Sequence, residues 1–361
     1  MKFVAFSSIP AVLRQRAGLA RPLLSHSTSH EVLHPAEQTN SPAAIHLDDE
    51  DMRRIMSAAE FFPLEVELQR MKGGAGKSDE IRLHRFNNAL LLGGDLFVRG
   101  SRLRLRGGSS HALHFGAVPE IASATLSSTH LGSQFFGHWL LDDLPRFGQL
   151  SSLNAAPFLV GGAPSEHQQQ YMAAFGFDGP ILDHAFFSSL GVVADGSMQS
   201  YKSGQLAKMR DRIRCAVAAD EPSSAGVMLL RGGSGRRRIL ANEGELGQAL
   251  SARGFKIIDP MTTSVSDIAA ACAGAEVVVG VEGSHMVHGV LALAPGASFI
   301  TIQPPFKFDN TCKPYCDALG IKYAFTVGRP ALDGFSVELE RVLAIIDKTA
   351  AAPLHKASYA R

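Results

Sequence analysis

The chain lacks most of the features that mark a function class on sight. Its 361 residues include a single tryptophan and only four cysteines. Cys215, Cys272, Cys312 and Cys316 are too few to be a secreted disulfide framework at this length, so reduced, structural thiols are expected. Cys312 and Cys316 would share a helix face, but no histidine or further cysteine lies near enough in sequence to complete a zinc set. Excess charge is also missing. The formal net charge is +1, which excludes bulk electrostatic attraction to nucleic acid. No apolar run approaches the roughly 20 residues that span a bilayer. What remains is an ordinary globular composition, 45% hydrophobic and 19% charged, in a chain long enough for two domains.

The first thirty residues hold Lys2, Arg14, Arg16 and Arg21, with no acid before Glu31. That pattern suits a membrane-surface or transit-like segment, although Arg14 follows Ala11-Val12-Leu13 too closely for a secretory signal. A disordered, weakly basic tail is the simpler expectation. A cytoplasmic location follows, with peripheral association at the inner face of a membrane as the alternative. Residues 1–80 as a whole are poorly patterned. Asp48-Asp49-Glu50-Asp51 contains a D-x-D of the kind that can hold a metal, but Met52-Arg53-Arg54 follows it, so acids facing a helix N-terminus explain it better. Gly73-Gly74-Ala75-Gly76-Lys77-Ser78 imitates a phosphate-binding loop. Met71 stands where that loop needs its first glycine, and the stretch reads as a linker.

Residues 81–222 form the next segment. Short strands at Ile81–Phe86, Ala89–Val98 and Leu103–Leu105, punctuated by glycine, predict a β-meander. Then comes Phe135-Phe136-Gly137-His138-Trp139-Leu140-Leu141-Asp142-Asp143-Leu144-Pro145-Arg146. His138 and Asp142 are four apart and share a face if the segment is helical, a pairing able to tune a general base. A capped helix with a satisfied core histidine is the simpler alternative. Ser203–Ala219 reads as an amphipathic helix, and Pro222-Ser223-Ser224 as a boundary.

Residues 223–350 alternate strand and helix regularly, the pattern of a parallel sheet covered by helices, and 351–361 read as a tail. The clearest unit is Ala275–Ile300. Val277-Val278-Val279 is a strand buried on both faces, Glu282-Gly283-Ser284-His285 a tight turn, and Met286–Ala294 a helix that stops at Pro295-Gly296. Ligands of such sheets sit beyond the carboxyl ends of the strands, so this turn is a candidate anion site that includes His288 on the helix. Between the first strand and helix of the same domain lies Arg231-Gly232-Gly233-Ser234-Gly235-Arg236-Arg237-Arg238. Its glycines would expose N–H groups and its arginines forked donors, a combination suited to a diphosphate. The third glycine of a dinucleotide fingerprint is absent, and a solvated basic loop is the plain alternative.

Three blocks in order carry a family likeness. His138-Trp139-Leu140-Leu141-Asp142 with Leu144-Pro145-Arg146 resembles the H-W-L-x-D-x-L-P-R block of glycosyltransferase family 61. Arg231, Arg237-Arg238 and Asn242-Glu243 resemble its arginine-rich stretch ending in R-x-x-x-N-E. The Ala275–Ile300 stretch resembles its G-x-H-G-A-G-L-T-N-x-x-F-x-x-P-G block. Here Glu282 stands where histidine is usual, His285 replaces a glycine and His288 an asparagine, while Gly283, Pro295 and Gly296 remain. The resemblance covers about residues 81–330. It implies an α/β, GT-B-like fold: two Rossmann-like α/β domains facing a cleft, the N-terminal one with a β-meander. It also implies inverting transfer from a nucleotide sugar, commonly UDP-linked, to a glycan or polysaccharide acceptor.

On that resemblance the domain of residues 81–222 takes the acceptor and that of residues 223–350 the nucleotide sugar. Asp142 is the expected base, with His138 as its orienter or substitute. Arg231, Arg237, Arg238, Glu282, Gly283, Ser284, His285 and His288 are the expected donor-binding residues. No metal and no cofactor is expected, because cationic side chains can stabilise a departing diphosphate. All these residues are expected to line one groove. The rival class is a non-catalytic sugar-nucleotide or glycan-binding protein on the same scaffold. A hydrolase built on Ser284 and His285 is disfavoured, since adjacent residues do not readily form the pair and G-x-S-x-G is absent.

Overall fold

The computed structural model describes all residues except 6–8, 20, 107–114, 218–223, 233–237 and 361. It divides into two compact units: Met1–Ala36 with Asp79–Ser197, and Glu37–Ser78 with Met198–Arg361. Both are mixed α/β.

The first unit is built on one sheet whose spatial order is 181–182, 157–160, 120–126, 184–194, 81–92, 95–98, 101–104, with 29–34 also pairing 81–92. The strands Glu120–Leu126, Pro157–Val160 and Ile181–Leu182 are mutually parallel, and His184–Ala194 joins Glu120–Leu126 in parallel. The other flank is an antiparallel meander. Two strands expected at 81–86 and 89–98 are instead one long strand, Ile81–Leu92, followed by a hairpin at Gly93-Gly94. Asn88, at φ 57°, absorbs the irregularity without ending the strand. Phe86, Leu91, Phe158, Phe187 and Leu190 fill the core beneath it.

The second unit contains a five-stranded parallel sheet. Its elements in chain order are β1 (Gly226–Leu229), α1 (Glu243–Ser251), β2 (Phe255–Ile258), α2 (Val265–Ala273), β3 (Val277–Val281), α3 (Val287–Ala292), β4 (Ser298–Gln303), α4 (Lys313–Leu319), β5 (Lys322–Val327) and α5 (Leu339–Ala351). The sheet order is β2-β1-β3-β4-β5, every pair parallel. Every residue of β3 and β4 is buried, as their β-branched runs require. Each helix covers the sheet with a spaced apolar stripe; in α5, Val342, Ile345 and Thr349 are buried. Local signals set the ends. The Ser264 hydroxyl accepts from Asp267 N–H before α2, and Gly320 takes the left-handed conformation after α4.

The order 2-1-3-4-5 reverses direction between β1 and β3. Loops leaving the carboxyl ends of those two strands flank a crevice, and the fold therefore brings Arg231 and Arg238 to the 282–285 segment.

Residues that carried no clear pattern also fold. Gly74–Lys77, expected as a linker, is a strand paired with Gln38–Ser41, which in turn pairs Ser358–Ala360 near the end of the chain. The acidic run behaves as a helix start: Asp48 accepts from Glu50 and Asp51 N–H. Asp51 is buried, accepts from Thr326 and Val327, and pairs with Arg341. All four cysteines are free thiols. Burial raises Cys272 and Cys312 to about 12. No helix among the described residues is long and apolar enough to cross a membrane.

Candidate functional site

In the first unit, the segment Phe136–Ser152 follows the carboxyl end of the strand Glu120–Leu126. It is helical throughout, but Trp139–Asp143 is wound as a π-turn between two α-helical pieces. Pro145 gives the reason. It has no N–H to offer the Leu141 carbonyl, so the regular ladder cannot run through this point. Leu140, Leu144 and Leu150 are fully buried and anchor the segment, each contributing about 1.5–3 kcal/mol by removal from water.

The π-turn splits the two adjacent aspartates. Asp142 stays at the partly exposed surface, where its Oδ2 lies 2.8 Å from His138 Nδ1. Asp143 points inward and is wholly buried. Its Oδ1 accepts from Thr129 N–H at 2.8 Å and from Thr129 Oγ1 at 2.9 Å. Gly132 leaves the space that this carboxyl fills, since any Cβ there would collide with it. Burial pushes Asp143 up to about 8, against the downward pull of Arg146 and Thr129. Arg146 is buried too. It donates to the Ser127 carbonyl at 3.0 Å and is ion-paired to Asp195. Burial opposes its charge, but the Asp195 carboxylate more than offsets that, so Arg146 stays cationic.

The chemistry divides accordingly. The His138–Asp142 pair can take up a proton, through the carboxylate or through imidazole Nε2 if Nδ1 donates. Asp143 and Arg146 tie the helix to the ends of two parallel strands. Asp143, Arg146, Asp195 and Thr129 were not among the expected site residues. The Pro-Arg pair was visible in the sequence, but Asp195 lies 49 residues beyond Arg146 with no motif around it.

In the second unit, Arg231 leaves β1 and Glu282 leaves β3. Arg231 Nη1 donates to the Glu282 carbonyl at 3.1 Å, and Arg238 Nη1 donates to the same carbonyl at 3.0 Å. Arg238 is also ion-paired with the Glu282 carboxylate. Gly283 is needed twice over. Its φ is 155°, and the Arg231 guanidinium occupies the place a Cβ would take. His285 lies in the same cluster. Burial first, then Arg231, His288 and Arg238, hold its imidazole well below the ordinary range, hence neutral. Neither of its buried ring nitrogens makes a hydrogen bond of ordinary geometry among the described residues.

Two expectations change. The backbone N–H groups at the start of the basic loop are not open to a phosphate: Arg231 N–H and Gly232 N–H donate to the Glu243 carboxylate at 2.8 and 3.0 Å. Glu243, the last residue of the N-E pair, thus closes the loop onto α1. The helix expected over 286–294 is shorter. A 3₁₀ turn, Ser284–Met286, precedes the six residues of α3, and Met286 N–H is bonded to the Gly283 carbonyl. Arg231, Arg238, Glu282, Gly283 and His285 do come together. Ser284 is half-buried on the same turn, and His288 is buried within α3. Arg237 lies outside the described residues. Among the described residues no group of three or more His, Cys, Asp or Glu is placed to hold a metal.

Both halves of this chemistry fall within one family match. Residues 136–300 match the model of the family described as glycosyltransferase 61. This stretch is a glycosyltransferase family 61 domain. The match begins at Phe136, two residues before His138, and ends in β4, so it takes in the π-turn, the basic loop and the Gly283 turn. The match supports a glycosyltransferase by class. No curated protein matches the chain.

Proposed function

We propose that this glycosyltransferase moves a sugar from a nucleotide-sugar donor, UDP-linked in the first instance, to a glycan or polysaccharide acceptor with inversion. The division of labour is GT-B-like, with the donor on the parallel-sheet unit and the acceptor on the first unit. The observation that carries the donor assignment is the meeting of Arg231 and Arg238 on one carbonyl at the switch point of the sheet. Two guanidinium groups held there can accept a diphosphate bidentately and stabilise the charge that develops as it leaves. Neutral His285 adds a ring nitrogen that can donate to a phosphate oxygen without further charge. Single-step inversion then needs a base for the acceptor hydroxyl. Asp142 has the position for it, because it is hydrogen-bonded to His138 and still reachable, whereas Asp143 is sealed inside. No metal enters this scheme.

A second reading has its own observation. Glu282 already pairs with Arg238, so this chain carries an internal anion where the donor would bring one. A binding protein that holds a sugar nucleotide without transferring it would tolerate that arrangement. The two readings separate on turnover. A transferase releases nucleoside diphosphate when acceptor is supplied, whereas a binding protein shows only a ligand-dependent rise in melting temperature.

A further inference from the structure

We infer that the ring of Phe306 forms the nucleobase platform of the donor site, stacking on the flat face of the base while Arg231 and Arg238 hold the diphosphate. This rests on the donor assignment above and adds to it the part of the ligand that distinguishes a nucleotide from a bare diphosphate.

The ring stands where such a platform must be. Phe306 follows β4, on the carboxyl edge of the parallel sheet, in the turn Pro304-Pro305-Phe306-Lys307 closed by Lys307 N–H to the Pro304 carbonyl at 3.2 Å. The loop is connected to the Arg238 segment by two routes. The Phe306 ring meets the Phe335 ring edge-on at 6.3 Å. Phe335 is fully buried and clamped to the segment that carries Arg238, its N–H donating to the Ile239 carbonyl at 3.0 Å and its carbonyl accepting from Ala241 N–H at 2.7 Å. On the other side of the turn, Cys312 lies within electrostatic reach of Arg238.

The ring is also presented rather than packed. Phe306 is 37% exposed, while Phe308, two residues on, is fully buried. Its backbone is fixed before any ligand arrives. Pro305 locks φ at the second position of the turn, the Ser57 hydroxyl donates to the Phe306 carbonyl at 2.6 Å, and Met56 N–H donates to the Pro305 carbonyl at 2.7 Å. A large apolar ring held rigidly against Phe335, next to the segment that carries Arg238, loses little entropy on stacking, which favours a flat aromatic ligand. Stacking tolerates every base, because each has a π-face, so the ring adds affinity for nucleotides without choosing among them.

The test compares nucleoside diphosphates with inorganic pyrophosphate by calorimetric titration of the full chain. The variants are Phe306→Ala, Phe306→Tyr and Arg238→Ala, each with its melting temperature measured. Phe306→Ala is expected to weaken binding of UDP, CDP, GDP and ADP by about tenfold or more while leaving pyrophosphate affinity unchanged. Phe306→Tyr keeps the ring and is expected to bind like the parent. If Phe306→Ala binds every nucleoside diphosphate like the parent while Arg238→Ala weakens them, the platform is refuted and the diphosphate assignment stands. Equal losses for pyrophosphate and nucleotides in Phe306→Ala also refute it, because the ring would then act by shaping the loop. If the parent binds none of these ligands, the donor assignment fails and the platform with it.

Discussion

Replacing Arg238 with alanine removes a guanidinium that serves two partners at once: the Glu282 carbonyl at 3.0 Å and the Glu282 carboxylate. Two effects follow, and the structure separates them. Glu282 is 7% exposed, so the variant leaves its carboxylate buried without its main counter-charge. Removing one partner of such a pair costs about 3–5 kcal/mol of stability. Arg231, bonded to the same carbonyl, will offset part of that. The second effect is on binding. A charge-assisted bond to the diphosphate contributes about 1.5–3 kcal/mol, so affinity should fall roughly 10- to 150-fold. Glu282→Gln should do the opposite, because it frees Arg238 from an internal anion while keeping side-chain size. Nucleoside diphosphate affinity should then rise. The double variant should recover most of the stability lost in Arg238→Ala but none of its affinity. Titration calorimetry beside thermal melts reads both effects. If folded Arg238→Ala binds every nucleoside diphosphate as tightly as the parent, the arginine pair is not the diphosphate site.

Asp143 gives a prediction in pH. Its carboxyl is raised to about 8 in the folded chain from 3.8, so the stability it contributes is complete below about pH 4 and is lost as pH climbs toward 8. Asp143→Asn removes this slope. It should match the parent near pH 4 and exceed it by up to about 4 kcal/mol at pH 7, taking roughly 1.4 kcal/mol per pH unit, as read from urea melts across that range. A variant less stable than the parent at pH 7 would mean that Asp143 is ionised and serves as a partner of Arg146. Gly283→Ala forces a side chain into a left-handed position already filled by Arg231. It should cost about 1–3 kcal/mol and weaken diphosphate binding together; parent-like melting and affinity would show that the glycine does not set the arginine's place.

Parts of this arrangement could be read from the residues and parts could not, for identifiable reasons. Val277-Val278-Val279 declares a strand buried on both faces, and the alternation around it declares the parallel sheet. The crevice between β1 and β3 follows from that topology, and with it the nearness of the two loops. His138 and Asp142 are four apart, and the bond forms. Which of two adjacent aspartates faces inward depends on the phase of the helix, however, and the π-turn before Pro145 shifts that phase. Asp143 therefore took a buried position that an ideal α-helical register does not specify. The role of Glu243 was hidden for another reason: an acid near a helix start is explained by the macrodipole, and only coordinates show its carboxylate on the N–H groups of Arg231 and Gly232. Gly74–Lys77 has almost no side chains to carry a period, and its partner strands lie at 38–41 and, beyond them, 358–360. Pairings this distant leave no local trace.

Sugar transfer with Asp142 as base is tested by the release of nucleoside diphosphate from a panel of nucleotide sugars, with and without glycan acceptors, by the parent and by Asp142→Asn. The parent should release nucleotide in an acceptor-dependent way. Asp142→Asn, folded as judged by its melting temperature, should bind donor nearly as well yet turn over about 10²–10⁴-fold more slowly. Donor binding by the parent with no release under any acceptor would contradict the claim in favour of a binding protein, and parent-like turnover by Asp142→Asn would contradict the assignment of the base.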